Sequence, residues 1–122
     1  MNLPYLVLLG MEAEMLKGHL DAIVLAALEG GPAHGYAIIE TIKRGSDATF
    51  DLPEGTVYPA LHRLEQGGLL SSTWMTPPSG RRRRMYSLTK AGSAALAERR
   101  KAWGRFSRAV DTLLEEGRAW PA

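Results

Sequence analysis

"GTVYPALHRLEQGGLLSSTWMTPPSGRRRRMYSLTK", residues 55–90, changes its hydrophobic period once, at Gly67-Gly68. Before the glycines, Val57, Leu61 and Leu64 recur at the spacing of one helix face. A proline deep in a helix removes a hydrogen bond and crowds the preceding turn, so Pro59 sets the start near Gly55 or Thr56. After the glycines, Leu70, Ser72 and Trp74 share one side of a two-residue alternation. The spacing predicts a strand over Leu69 to Thr76, a turn over Pro77-Pro78-Ser79-Gly80, and a returning strand over Arg82 to Leu88. Four consecutive arginines, Arg81, Arg82, Arg83 and Arg84, fall on the turn and the returning strand. Adjacent like charges repel, so the run either awaits an anionic partner or is a solvated basic turn.

Upstream, Leu16, Leu20, Ile23, Val24, Ala27 and Leu28 predict a core helix that Gly30-Gly31-Pro32 stops. Tyr36, Ile38, Ile39 and Ile42 predict a shorter helix ending near Gly45-Ser46, with residues 50–55 as a connector. Downstream, Thr89 is suited to cap a long last helix running to about Gly117. The expected fold is mainly α with a small β-hairpin. Three short helices followed by a two-stranded ribbon describe a winged helix-turn-helix, in which the third helix enters the major groove of DNA and the ribbon lies beside it. The expected organisation is an N-terminal extension or arm (1–14), the winged helix (15–88), a C-terminal dimerisation helix (89–117) and a tail (118–122). Met11 and Met15 are alternative start sites, which would make residues 1–10 a dispensable extension.

At 122 residues the chain has room for one modest core, and with no cysteine that core rests on packing alone. The apolar run over residues 5–9 is far short of a membrane span, and no export signal accompanies it; a cytoplasmic protein is expected. The net charge of +2 is unevenly placed, −5 over residues 1–60 against +5 over residues 61–90, which suggests a polyanionic partner at one surface. His19, His34 and His62 fall on three separate predicted helices without a metal-binding spacing, and neither a phosphate loop nor a nucleophile elbow occurs. No enzyme activity, metal or cofactor is expected.

Strand parity sorts the arginines. With Tyr86 and Leu88 facing the core, Arg84 shares their side, Arg81 and Arg83 point outward, and Arg81 beside Gly80 is best placed to reach along a minor groove. On the last helix, Leu96, Trp103, Phe106, Val110 and Leu113 follow a seven-residue apolar pattern interrupted by Arg99. A lone helix cannot bury that stripe, so a two-fold homodimer is expected. Trp103, with Phe106 beside it, either fills the dimer core or, with its symmetry mate, sandwiches a planar ligand.

Three segments, HGYAIIETI (34–42), GTVYPALHRLEQGGLL (55–70) and RRMYSLTKAG (83–92), resemble the signature blocks of PadR-type transcriptional regulators, and the resemblance spans roughly residues 15–115. It implies a homodimeric repressor of the bacterial cytoplasm that binds operator DNA and is released by a small hydrophobic or aromatic effector. The single helix after the wing is similar to the compact subclass, in which planar molecules bind at the dimer seam. Carried over by position, the resemblance implies DNA contacts by Tyr36, by Thr56, Tyr58 and Arg63 on the recognition helix, and by Arg81 to Arg84 on the wing; the alternatives are that Tyr58 mainly packs and that Arg63 pairs with Glu65 or Glu54. His62 departs from the basic residue common there; a neutral imidazole attracts phosphate less but still bonds a base edge. A winged-helix module that binds another protein is the competing expectation, and the unpaired arginines favour DNA over it.

Overall fold

The computed structural model describes residues 15–16 and 18–115. α1 (Leu20–Ala27) is nearly all apolar and is followed by β1 (Ala33–His34), α2 (Gly35–Gly45), α3 (Glu54–Gln66), β2 (Leu70–Met75), β3 (Arg83–Leu88) and α4 (Lys90–Leu114). Val24, Leu25 and Leu28 from α1 and its end, Ile38 and Ile42 from α2, and Val57, Leu61 and Leu64 from α3 make one core. Tyr86 closes it from the sheet. This is a winged helix with a long C-terminal helix. Residues 1–14 and 116–122, including the expected arm and Trp120, lie outside the described residues.

The hairpin adopts the expected alternation, with Leu70 opposite Leu88, Ser72 opposite Tyr86 and Trp74 opposite Arg84. The expected order of helices and hairpin lacked one element. β1 pairs antiparallel with β3, Ala33 opposite Tyr86 and His34 opposite Met85, so the sheet has the order β1-β3-β2. Two residues are too short to display a period.

α3 begins at Glu54, with the Thr56 and Val57 N–H groups on the Pro53 carbonyl at 3.0 and 3.2 Å. Pro59 therefore sits in the second turn rather than near the start. The bond it removes would end on the carbonyl of Gly55, an exposed residue where water can serve that oxygen. Thr89 caps α4 as expected, its Oγ1 accepting from the Gly92 N–H at 3.0 Å. The Thr89 hydroxyl also donates to the Gly68 carbonyl at 2.7 Å, and the Thr89 N–H donates to the Leu69 carbonyl at 3.1 Å.

Gly92 is required at this junction. A Cβ there would overlap the Leu69 carbonyl, a backbone group that cannot swing aside. Leu96, one turn further, is only 3 % exposed and belongs to the core of its own chain. Its expected place on a dimer seam is thereby corrected: a helix that starts against Leu69 lies across α1, and its first inward apolar position is covered there. Gly104, by contrast, would place a Cβ near only the flexible end of Arg108. Gly92→Ala should lower stability by about 2 kcal/mol through overpacking, whereas Gly104→Ala should be neutral or raise it by up to about 1 kcal/mol through helix propensity. Thermal unfolding of the two variants checks the opposite signs.

Candidate nucleic-acid interface

The buried positions of α3 leave Tyr58, Pro59, His62, Arg63 and Gln66 on its exposed face. Thr56 is half-buried at the edge of that face. Tyr36, in the first turn of α2, is 59 % exposed, and Tyr58 is 41 % exposed. The two helices meet closely because Gly35 has no side chain: a Cβ there would overlap the Tyr58 ring. The glycine of the His-Gly-Tyr stretch thus seats an aromatic residue of α3.

Arg63 makes a 2.5 Å ion pair with Asp21 of α1, at the back of the helix-turn-helix. Neither the residue nor the spacing hinted at this pair, since 42 positions separate the partners. His62, Glu65, Gln66, Arg84 and Tyr86 line an open groove of about 460 Å³ between α3 and the wing. Across it, the Ser72 hydroxyl donates to Glu65 Oε2 at 2.5 Å, Arg84 Nε donates to Ser72 Oγ at 2.7 Å, and Arg84 Nη2 reaches Glu65 at 3.4 Å. The Ser72 hydroxyl and then the Arg84 charge hold the Glu65 carboxyl below its usual range. Burial and the nearby Glu65 charge push the Tyr86 phenol up.

The four arginines thus have four environments. Arg81 is exposed, with no hydrogen bond or ion pair among the described residues. Arg82 is exposed, its guanidinium carbon 4.1 Å from the centroid of the Trp74 ring. Arg84 shares the Tyr86 side, as strand parity requires, and is answered by Glu65. Arg83 lies on the opposite side, yet it does not point freely outward. β1 covers that side, and Arg83 Nη1 stands 3.3 Å from His34 Nε2 while its Nε is buried without a partner.

On α4, Trp103 and Phe106 are 50 and 60 % exposed, with ring centroids 5.9 Å apart. One edge of Trp103 meets His19 of its own chain at 4.8 Å. Leu113 is exposed and Val110 half-buried on the same helix. Arg100 forks onto Glu29, Nη1 to Oε2 at 2.6 Å and Nη2 to Oε1 at 2.5 Å, which binds α4 to the end of α1. That pairing holds the Glu29 carboxyl below its usual range.

The model of the transcriptional regulator PadR-like family matches residues 24–98, from α1 through the start of α4. The chain belongs to this family. Its PadR-like fold is similar to that of a PadR family transcriptional regulator from Eggerthella lenta, with a TM-score of 0.75, 33 % identity and coverage of 91 % of this chain and 95 % of the other. A transcriptional regulator from Clostridium thermocellum is similar at a TM-score of 0.75 and 25 % identity, over 84 % and 99 % of the two chains. A transcriptional regulator of Mycobacterium tuberculosis is 42 % identical over 77 residues, 63 % of this chain and 68 % of that one. PadR-like regulators are transcription factors rather than enzymes. Among the described residues no cluster of three or more His, Cys, Asp or Glu is arranged to hold a metal ion, and no helix is long and apolar enough to cross a membrane.

Glu65, an expected alternative partner of Arg63, pairs with Arg84 instead, and the contacts of Asp21, Ser72 and His34 join residues distant in sequence. Only Ser72 left a usable signal, because its parity places it beside Tyr86 and Arg84. His34 has a consequence for pH. Arginine has no acceptor, so His34 Nε2 must accept and the ring is neutral in this contact. Burial first, then the Arg83 charge, lowers its pKa from the usual 6.5. Above 6.5 both folded and unfolded chains hold it neutral; as pH falls through 6.5 the unfolded chain takes up the proton first, and stability drops. Unfolding at pH 7.5 and 5.5 should show a larger loss for the native chain than for His34→Gln, which keeps an acceptor and cannot titrate.

Proposed function

We propose that this PadR-like regulator is a cytoplasmic homodimer that binds operator DNA and represses transcription until a small planar or aromatic effector releases it. The carrying observation is that Arg81 and Arg82 have no carboxylate partner, on a wing beside the exposed face of α3. A purely solvated turn has no use for a row of unanswered cations, whereas phosphates neutralise them and release counterions. In this reading Tyr36, Thr56, Tyr58, His62 and Arg63 face the DNA, the last after leaving or sharing Asp21. Arg81 extends along the minor groove, while Arg83 and Arg84 steady the wing and add positive field.

The exposed Trp103, Phe106 and Leu113, with Val110, supply the seam of a two-fold dimer, which would present two recognition helices to paired half-sites. Facing Trp103 rings would take the effector between them. Such a ligand acts only by binding one arrangement of the dimer better than the other.

Fluorescence anisotropy with DNA from upstream of the coding region, against a scrambled duplex, tests the reading across a salt series. Preference for the native sequence is expected, and Arg81→Ala should lower the salt slope by about 0.9 per protomer, about 1.8 for the dimer, the loss of one phosphate contact on each wing. Absence of binding to either duplex at low salt would instead favour a protein-binding wing. Phe106→Asp with Leu113→Asp should convert the dimer to monomer in sedimentation, and Trp103→Ala should abolish binding of a planar cationic dye, read from the dye's own fluorescence. A double variant that still sediments as a dimer would exclude this seam.

A further inference from the structure

Trp74 has no role in the sequence reading, yet it stands at the centre of the wing's charges. It lies on β2 opposite Arg84 and is 53 % exposed. Two guanidinium groups meet its indole, Arg82 at 4.1 Å and Arg84 at 5.2 Å from the ring centroid. Its own N–H has no hydrogen-bond partner among the described residues.

The two arginines differ in what else they touch. Arg84 is tied to Ser72 and Glu65, so its charge is already answered. Arg82 has the ring face alone. An aromatic face attracts a guanidinium through its quadrupole but leaves the net charge and the N–H donors in the guanidinium plane unsatisfied. Trp74 therefore displays Arg82 rather than neutralising it.

Position along the wing gives the display a direction. Tyr86 and Arg84 share one side of β3, opposite Ser72 and Trp74 of β2, and Arg82, the residue before β3, reaches the same Trp74 ring. Tyr86 is in the core and Arg84 reaches α3 through Glu65. The Trp74 and Arg82 pair continues that side outward, toward the tip, where no carboxylate answers it.

We propose that Trp74 and Arg82 together form a phosphate-binding ledge for duplex DNA on the α3 side of the wing. The stacked guanidinium donates to a phosphodiester oxygen, and the indole N–H donates to the same strand. Stacking removes most of the ordering cost that a free arginine meets when it binds a phosphate. This is what separates Arg82 from the neighbouring Arg81, which has no such support. The proposal rests on the DNA-binding reading above.

A phosphate contact is independent of sequence, so a mixed-sequence 30-base-pair duplex at low salt is a sufficient probe. Trp74→Leu should weaken binding roughly tenfold and lower the salt slope by about 0.9 per bound protomer. Arg82→Gln should weaken it as much in the native chain and far less in the Trp74→Leu background, a coupling that a merely structural tryptophan would not produce. Arg81→Gln should lose the same amount in both backgrounds. Should the leucine variant fail to fold, Trp74→Phe, with a weaker ring face and no N–H, should show a loss of about threefold. If the native chain binds the duplex while the Trp74 variant keeps its affinity and slope, or the Arg82 loss is the same in both backgrounds, the ledge is excluded and DNA binding stands. If the native chain does not bind at low salt, both fall.

Discussion

The Gly68-Leu69 peptide is the point at which the recognition helix, the wing and the last helix are joined. The Leu69 N–H donates to the Leu64 carbonyl of α3 at 3.0 Å, and the Leu69 carbonyl accepts from Thr89. The Gly68 carbonyl takes the Thr89 hydroxyl. At Gly92 a methyl group would overlap the Leu69 carbonyl. Two adjacent residues whose backbone groups are engaged by α3, by Thr89 and by Gly92 cannot shift for one of them alone. The direction in which α4 leaves the domain is therefore fixed relative to α3 and the wing, and a force that redirects α4 meets those elements first at these residues.

The arginine run, seen as one feature in the sequence, is resolved by local chemistry into separate duties. Within the run, Glu65 engages Arg84 and His34 engages Arg83, while Asp21 engages Arg63 outside it. Glu65 binds Arg84 through the Ser72 hydroxyl, fastening the wing across the groove to α3, and Asp21 holds Arg63 against α1. Exposed pairs of this kind contribute little to stability, so their importance lies in orientation. With Arg83 and Arg84 engaged, Arg81 and Arg82 are left without such a partner near the tip. The field of the basic segment is thus concentrated where the protein is most open.

Helical and strand periods were legible because each helix and the hairpin bury one side, and burial writes a period into the sequence. The hairpin register, the Thr89 cap and the parity of Arg84 all follow from it. What stayed hidden depends on contacts between distant residues. β1 is two residues long, and its effect was to close the side on which Arg83 was expected to be free. The Asp21 and Glu29 pairs join residues whose only local signature is charge. Gly35 and Gly92 are required by Tyr58 and Leu69, partners met only across the fold.

The last helix shows why a correct pattern can carry a mixed meaning. Its seven-residue stripe begins at Leu96, and that position is covered by the chain's own core. At Trp103 coverage is partial, with His19 against one edge and half the residue open. Beyond Arg100, which Glu29 anchors, α4 runs a further 14 residues to Leu114, roughly 20 Å of helix at 1.5 Å per residue. Over that length Phe106, Leu113 and Leu114 remain exposed. Periodicity records only that a face avoids water; whether it does so against its own domain or a second chain is decided by how far the helix has travelled from the Leu69 junction. Trp103 stands at the crossover, touching its own domain on one edge and open on the rest, which is where a ligand between two chains would be felt by both the seam and the fold.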